Sequence, residues 1–355
     1  MLHRRQRAAL ATIALVAALA GCGSKKHGNG APPAAVTGLA AVPATARVVV
    51  GADVAKLAAS PIVKRAVEQL FLRDATLSDG WSHVRDACKL DLVKQVKRVM
   101  LVLGPEVAGA KPGTGPVLMI ATGAIPEQDL ASCVRSLVGK GGGALTAKAL
   151  GARTLYTVKD GNRVMYLAYG DLETVVMGTS EPFVTEALST GPKVSANPAM
   201  AVLLDQADQN APLWAVGQVN PEVREGLVRV ASGALKAGPT AFIGSADPTA
   251  GATLELRAIM ATPEDAKQLE SMVKAQLGLL VMGAQLKSLG GVVSKVVAST
   301  SGTAMKLRAE LTPDDVNHVL SMLDEATAPT QDAPLAPTVP APPTVPTSTS
   351  PTVTH

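Results

Sequence analysis

Thr154-Leu155-Tyr156-Thr157-Val158-Lys159-Asp160-Gly161-Asn162-Arg163-Val164-Met165-Tyr166-Leu167-Ala168-Tyr169 reads as two short strands joined by a tight turn. Thr154–Val158 and Val164–Tyr169 are rich in β-branched and aromatic side chains, and Asp160-Gly161 tolerates the positive φ that two-residue hairpin loops demand. The pair is therefore antiparallel. Tyr156 and Tyr166 fall on neighbouring strands, while Tyr166 and Tyr169, three positions apart, point to opposite faces.

Outward from this hairpin, eight further short apolar or alternating runs predict strands: Val48–Ala52, Arg98–Leu103, Val117–Thr122, Thr174–Met177, Leu213–Val219, Thr253–Ala261, Ser294–Ser299 and Ala304–Leu311. Helix starts are marked by a capping side chain and a proline at Ser60-Pro61, Asn197-Pro198, Asn220-Pro221, Thr262-Pro263 and Thr312-Pro313, with Pro126 and Pro182 in the same role. The cap oxygen accepts from free backbone amides, and proline loses nothing at a position whose N–H is an orphan. Pro263–Gly290 is the longest helix. Ala266, Leu269, Val273, Leu277, Leu280 and Ala284 form its buried stripe. Leu277–Met282 is apolar nearly all round, which implies burial between two layers or, alternatively, the wall of an acyl-chain pocket.

The expected fold class is α+β: two similar halves of antiparallel strands with helices packed on one sheet face, flanked by disordered ends. The pattern repeats. Arg47–Leu70 matches Pro212–Val230, Gly115–Val138 matches Ala252–Val273, and Arg153–Leu188 matches Ser294–Leu323. The halves are placed at 42–192 and 193–325.

The ends carry the address. His3, Arg4, Arg5 and Arg7 precede an eleven-residue apolar stretch, Ala8–Ala18, too short to span a bilayer core that needs about 20 helical residues. Leu19-Ala20-Gly21-Cys22 follows at once, and it resembles the lipobox of bacterial lipoproteins. That resemblance implies a signal peptide at 1–21 and acyl chains of the palmitate type on Cys22 as a membrane anchor, since one chain alone binds only marginally. Gly23, rather than Asp, after the anchor points by the same resemblance to the outer membrane.

Residues 22–41 read as the acylated cysteine and a flexible tether, and 326–355, rich in Pro and Thr, as a disordered tail with polyproline II character. Val42-Pro43-Ala44, Val48 to Val54, Leu57 to Pro61 and Asp86 to Asp91 are similar to uncharacterised secreted lipoproteins of myxobacteria-like Gram-negative bacteria, families with no established activity to transfer.

Cys88 and Cys133 remain as an even pair in an oxidising compartment, so a disulfide is the default and two separate buried thiols the alternative. Hydrophobic residues make up 47% of the chain but aromatics only 2%, so the core must be aliphatic and binding by stacked rings is disfavoured. Cleavage would remove three arginines and leave 30 basic against 29 acidic residues, which gives no field for nucleic acid.

Catalytic, cofactor and metal residues are not found in the sequence. His27, His83, His318 and His355 have no ligand spacing. Gly139-Lys140-Gly141-Gly142-Gly143 follows a helix and precedes a strand, the reverse of a phosphate loop. Ser271 and Lys274 make a Ser-x-x-Lys string without a Lys-Thr-Gly strand, and Asp314 with Asp315 reads as helix capping.

The sequence thus predicts a membrane-tethered envelope lipoprotein whose non-catalytic domain binds an envelope protein or lipid. A periplasmic carrier of a hydrophobic ligand is the alternative, and an enzyme assembled only in three dimensions the third reading.

Overall fold

The computed structural model describes residues 36–88, 90–106, 114–171, 173–231, 233–285 and 290–327. The expected signal peptide, Cys22, the tether up to residue 35 and the tail from 328 lie outside them. In chain order the elements are β1 (Val48–Asp53), α1 (Val54–Ala59), α2 (Pro61–Arg73), α3 (Ala75–Cys88), α4 (Leu92–Gln95), β2 (Val96–Leu103), β3 (Val117–Gly123), α5 (Glu127–Lys140), β4 (Ala144–Leu150), β5 (Arg153–Asp160), β6 (Arg163–Asp171), β7 (Thr174–Gly178), α6 (Glu181–Leu188) and α7 (Pro198–Gln206). They continue with β8 (Leu213–Gln218), α8 (Pro221–Val230), β9 (Ala241–Asp247), β10 (Ala252–Ile259), α9 (Pro263–Gln285), α10 (Gly290–Val293), β11 (Val296–Ser301), β12 (Ala304–Leu311) and α11 (Pro313–Thr327). The fold is α+β, with antiparallel pairing throughout the registered strands.

Two compact units divide the described chain. The first comprises residues up to 55, 81–209 and 215–220; the second comprises 56–80, 210–214 and 221 onward. The units interleave, whereas the sequence placed one boundary at 193. Packing explains both departures. Arg65 of α2 donates to Asn317 Oδ1 (2.7 Å) and to Ser321 Oγ (3.0 Å) on α11, which draws 56–80 into the second unit. Asn197 donates to Ala44 O (3.0 Å), and Val194 N to Val42 O (2.9 Å), which ties the segment after α6 to the start of the first unit.

In the first unit the strand order is β8-β1-β2-β3-β7-β6-β5-β4. Alternation sorts its side chains by face. Ala121, Leu167, Tyr169 and Val175 lie on one face beneath Cys88 of α3 and Cys133 of α5. A disulfide joins those two helices, with Cα atoms 4.4 Å apart. Tyr169 brings a polar atom into this cluster, and its hydroxyl donates to Ile125 O (3.1 Å). The sequence places helices on one face, but here the other is covered too. Val49, Val102, Leu118, Ile120 and Val176 are fully buried there, and Val184 of α6 sits so close to Gly178 that a Cβ at that position would lie 2.9 Å from Val184 Cγ2.

The hairpin β5–β6 closes as expected, but the turn is shifted by one residue. Asp160 pairs with Arg163, so the loop is Gly161-Asn162, with Gly161 at φ 56°. Asp160 thus ends the strand instead of opening the turn. β4 and β9 are strands additional to the ten runs named from sequence.

The second unit repeats the plan with fewer strands, in the order β11-β12-β10-β9. In both units a hairpin (β2–β3, β9–β10) leads into a long helix (α5, α9), and a later strand (β7, β12) returns beside the hairpin's second strand before a further helix (α6, α11). The first unit inserts β5 and β6 into this scheme. Ala258, Met305, Ala266, Leu269 and Leu235 form the second unit's core under α9. The face opposite carries charge: Glu255 bonds Arg257 two residues along β10 (2.7 Å) and Lys306 across the β10–β12 pair (2.8 Å). Burial opposes the charge of Glu255, but those two cations outweigh it and hold its carboxyl below the usual range.

The stripe expected along α9 is correct at its start and fails at Leu280, and the side chain of Ala284 lies outside those described. Ala266 and Leu269 are buried and Val273 packs on the core, yet Leu280, on the same stripe, is 57% exposed, and Leu279 and Met282 are 59% and 62% exposed. Burial between two layers does not occur there. A 23-residue helix rises about 34 Å, while an eight-residue strand spans about 27 Å, so the helix outruns its support.

Replacing Cys88 and Cys133 together by Ala releases a 45-residue separation, worth about 4 kcal/mol, and should lower the thermal midpoint by roughly 10 °C in circular dichroism. An unchanged midpoint would mean the bridge constrains nothing. Leu269→Ala should cost about 2–4 kcal/mol in denaturant unfolding, whereas Leu280→Ser should change stability by less than about 0.5 kcal/mol. Equal losses would show that the end of α9 is packed after all.

Candidate functional site

Most of the large hydrophobic side chains that stand exposed among the described residues belong to the second unit. On α8, Val223, Leu227 and Val230 recur at i, i+4 and i+7, so the helix turns one apolar stripe outward. On β10, Leu254 and Leu256 share a face with buried Ala258 but remain largely uncovered. With the end of α9 these leave aligned aliphatic side chains on the unit's surface.

The other side of α8 builds a concavity of about 470 Å³. Its walls include Arg224, Glu225, Val228 and Arg229 from the helix, and Lys236 and Gly238 from the segment that follows. Helical spacing puts Arg224 and Val228, four apart, on one side and Glu225 with Arg229 on the other. Gly238 permits the returning chain to close in, because a Cβ there would lie 2.7 Å from Arg224 O. Val228 anchors the helix to the core below. The lining thus carries three cations and one carboxylate. Among the described residues Glu225 pairs with Arg229, at 3.8 Å, and both side chains are 72% exposed, so the pair is worth little. Arg224 Nε is buried and has no hydrogen-bond partner among the described residues.

The residues singled out from sequence are dispersed. Cys22, His27 and His355 lie outside the described residues. Cys88 and Cys133 are brought together as the disulfide of the first unit. His83 and His318 are exposed on α3 and α11. Lys274 pairs with Glu270 (2.6 Å) rather than engaging Ser271, which is exposed. Asp315 caps α11: Thr312 N donates to its Oδ2 (2.7 Å), and Lys295 also reaches it. The bonds from Lys295 and Thr312 hold the Asp315 carboxyl down at about 2. Gly139–Gly143 connects α5 to β4, as read from the sequence.

Near the disulfide, Tyr156 donates to Glu127 Oε1 (2.8 Å). Burial, then the charge of Glu127, pushes the Tyr169 hydroxyl well above its ordinary range, so it stays a proton donor to a backbone carbonyl. These tyrosines hold structure. Among the described residues no three His, Cys, Asp or Glu side chains gather as a metal site, and no helix is long and apolar enough to cross a membrane.

The cationic concavity went unremarked in the sequence. Arg224, Arg229 and Lys236 look there like solvated decoration on an amphipathic helix, and only Gly238, set against the helix backbone, hints at a close return of the chain.

No protein-family model matches the chain, and no curated protein matches it either. Among solved structures, that of TP0453 in crystal form I is similar, with 12% identity over 82% of this chain and 99% of that chain and a TM-score of 0.39. A likeness at that score carries no argument about role.

Proposed function

We propose that the chain is a membrane-tethered cell-envelope lipoprotein whose described domain binds an envelope component and carries out no covalent chemistry. The observation that carries this reading is Leu19-Ala20-Gly21-Cys22, set directly behind the apolar stretch Ala8–Ala18 and a basic start. Acyl chains on Cys22 would hold the domain at a membrane, the outer one by the Gly23 criterion. Residue 36 lies about 14 residues beyond Cys22, a reach of at most about 50 Å. At such tethered proximity, weak contacts suffice for binding.

The outward apolar stripes on α8 and the end of α9 support a binding role, since scattered single hydrophobics need no explanation but aligned ones suit a partner. The same exposure favours the second reading, a carrier of hydrophobic ligands. A carrier, however, needs apolar walls facing each other across a chamber, and Leu279, Leu280 and Met282 face outward. The envelope-binding reading is accordingly preferred.

Mass spectrometry of the native protein tests the anchor. The expected N-terminal peptide starts at Cys22 and carries a diacylglyceryl thioether, and Cys22→Ser should move the chain from the membrane fraction or leave it unprocessed. An intact leader with an unmodified Cys22 would overturn the reading. Phospholipid retained stoichiometrically by the purified domain would instead favour the carrier.

A further inference from the structure

We infer that the concavity beside α8 is a binding site for a phosphate-class oxyanion. Its chemistry is set by Arg224, Arg229 and Lys236, which leave net positive charge after Glu225 is counted. Two arginines and one lysine line it, and guanidinium forks match the paired oxygens of a phosphoryl group. Arg224 supplies the second observation. Its Nε is buried and lacks a hydrogen-bond partner among the described residues, a deficit that an anion drawing the guanidinium toward the cavity would relieve.

The shape agrees with the charge. A volume of about 470 Å³ lies within the range of small-ligand sites and accepts a phosphate with a short glycerol-sized substituent. Val228 and Ala237 line part of the wall, so the site is not polar all round. Gly238 keeps the returning segment against the helix, which fixes Lys236 relative to the two arginines. Arg229 meets Glu225 only loosely, so an incoming anion displaces a weak pair instead of a strong one. The site is defined by side chains of the second unit alone and does not depend on whether Cys22 carries lipid.

One chemistry has two sources, a free phosphate or a phospholipid headgroup, and the test separates them. Thermal unfolding of the full mature chain would be followed by its tryptophan fluorescence in nonionic detergent, at constant ionic strength. The additions are inorganic phosphate, glycerol phosphate, a short-chain phosphatidylglycerol and, as controls, chloride and a short-chain phosphatidylcholine.

At a ligand concentration about tenfold above the dissociation constant, the midpoint should rise by about 3 °C. A rise with inorganic phosphate identifies free phosphate. A rise with phosphatidylglycerol alone identifies the headgroup. The exposed-site variants Arg229→Glu and Lys236→Glu should abolish the rise while keeping the wild-type midpoint in chloride. Arg224→Lys, which retains the charge and removes the fork, should weaken it. No rise with any phosphate compound, or an equal rise in both charge-reversal variants, overturns the site.

Discussion

An antiparallel sheet keeps its apolar rows dry only where another layer lies on them, and much else in this molecule follows from how far that layer extends. In the first unit both faces are covered, and side chains such as Leu118, Ile120 and Val176 lose all contact with solvent. In the second unit a single helix layer covers part of one face, while Glu255, Arg257 and Lys306 satisfy one another on the opposite one. The consequence is an unequal molecule. One unit is closed around a disulfide and a buried tyrosine, and the other leaves apolar positions on β10, α8 and α9 in contact with water.

The shortage of aromatic residues shapes both units. Aliphatic cores fill space with small increments, so close helix approach depends on residues without side-chain bulk, as where Val184 meets the backbone at Gly178. The few rings present do specific work. Tyr169 buries its ring and Tyr156 half-buries its own, and each spends the hydroxyl on a named acceptor, Ile125 O and Glu127.

The legibility of the fold in sequence varied with the range of the physics involved. Helix starts at Ser60, Asn197 and Thr312 were legible because a cap and its proline act within four residues, and the structure places the cap bonds there. Strand pairing was legible where alternation was clear. β4 and β9 were not among the named runs, because Ala144–Leu150 is mostly exposed on an outer strand and Ala241–Asp247 contains Gly244. The apolar stripe of α9 was legible as periodicity, but its covering was not, since nothing local reports where a sheet ends. The cysteine pairing could be suggested from count and compartment. The concavity could not, because it requires the chain beyond α8 to fold back at Gly238.

The interleaving of the two units also constrains the order of events as the chain emerges from its N-terminus. Arg65 waits for Asn317, 252 residues later, and the strand β8 that borders β1 arrives only near residue 213. Contacts of such long separation form slowly, because loop closure must precede any reward. Helix α2, with Val67, Leu70 and Leu72 outward, would therefore spend most of synthesis without its α11 companion. A shortened chain ending before residue 313 would lack α11 altogether, and with it the acceptors Asn317 and Ser321 that hold Arg65.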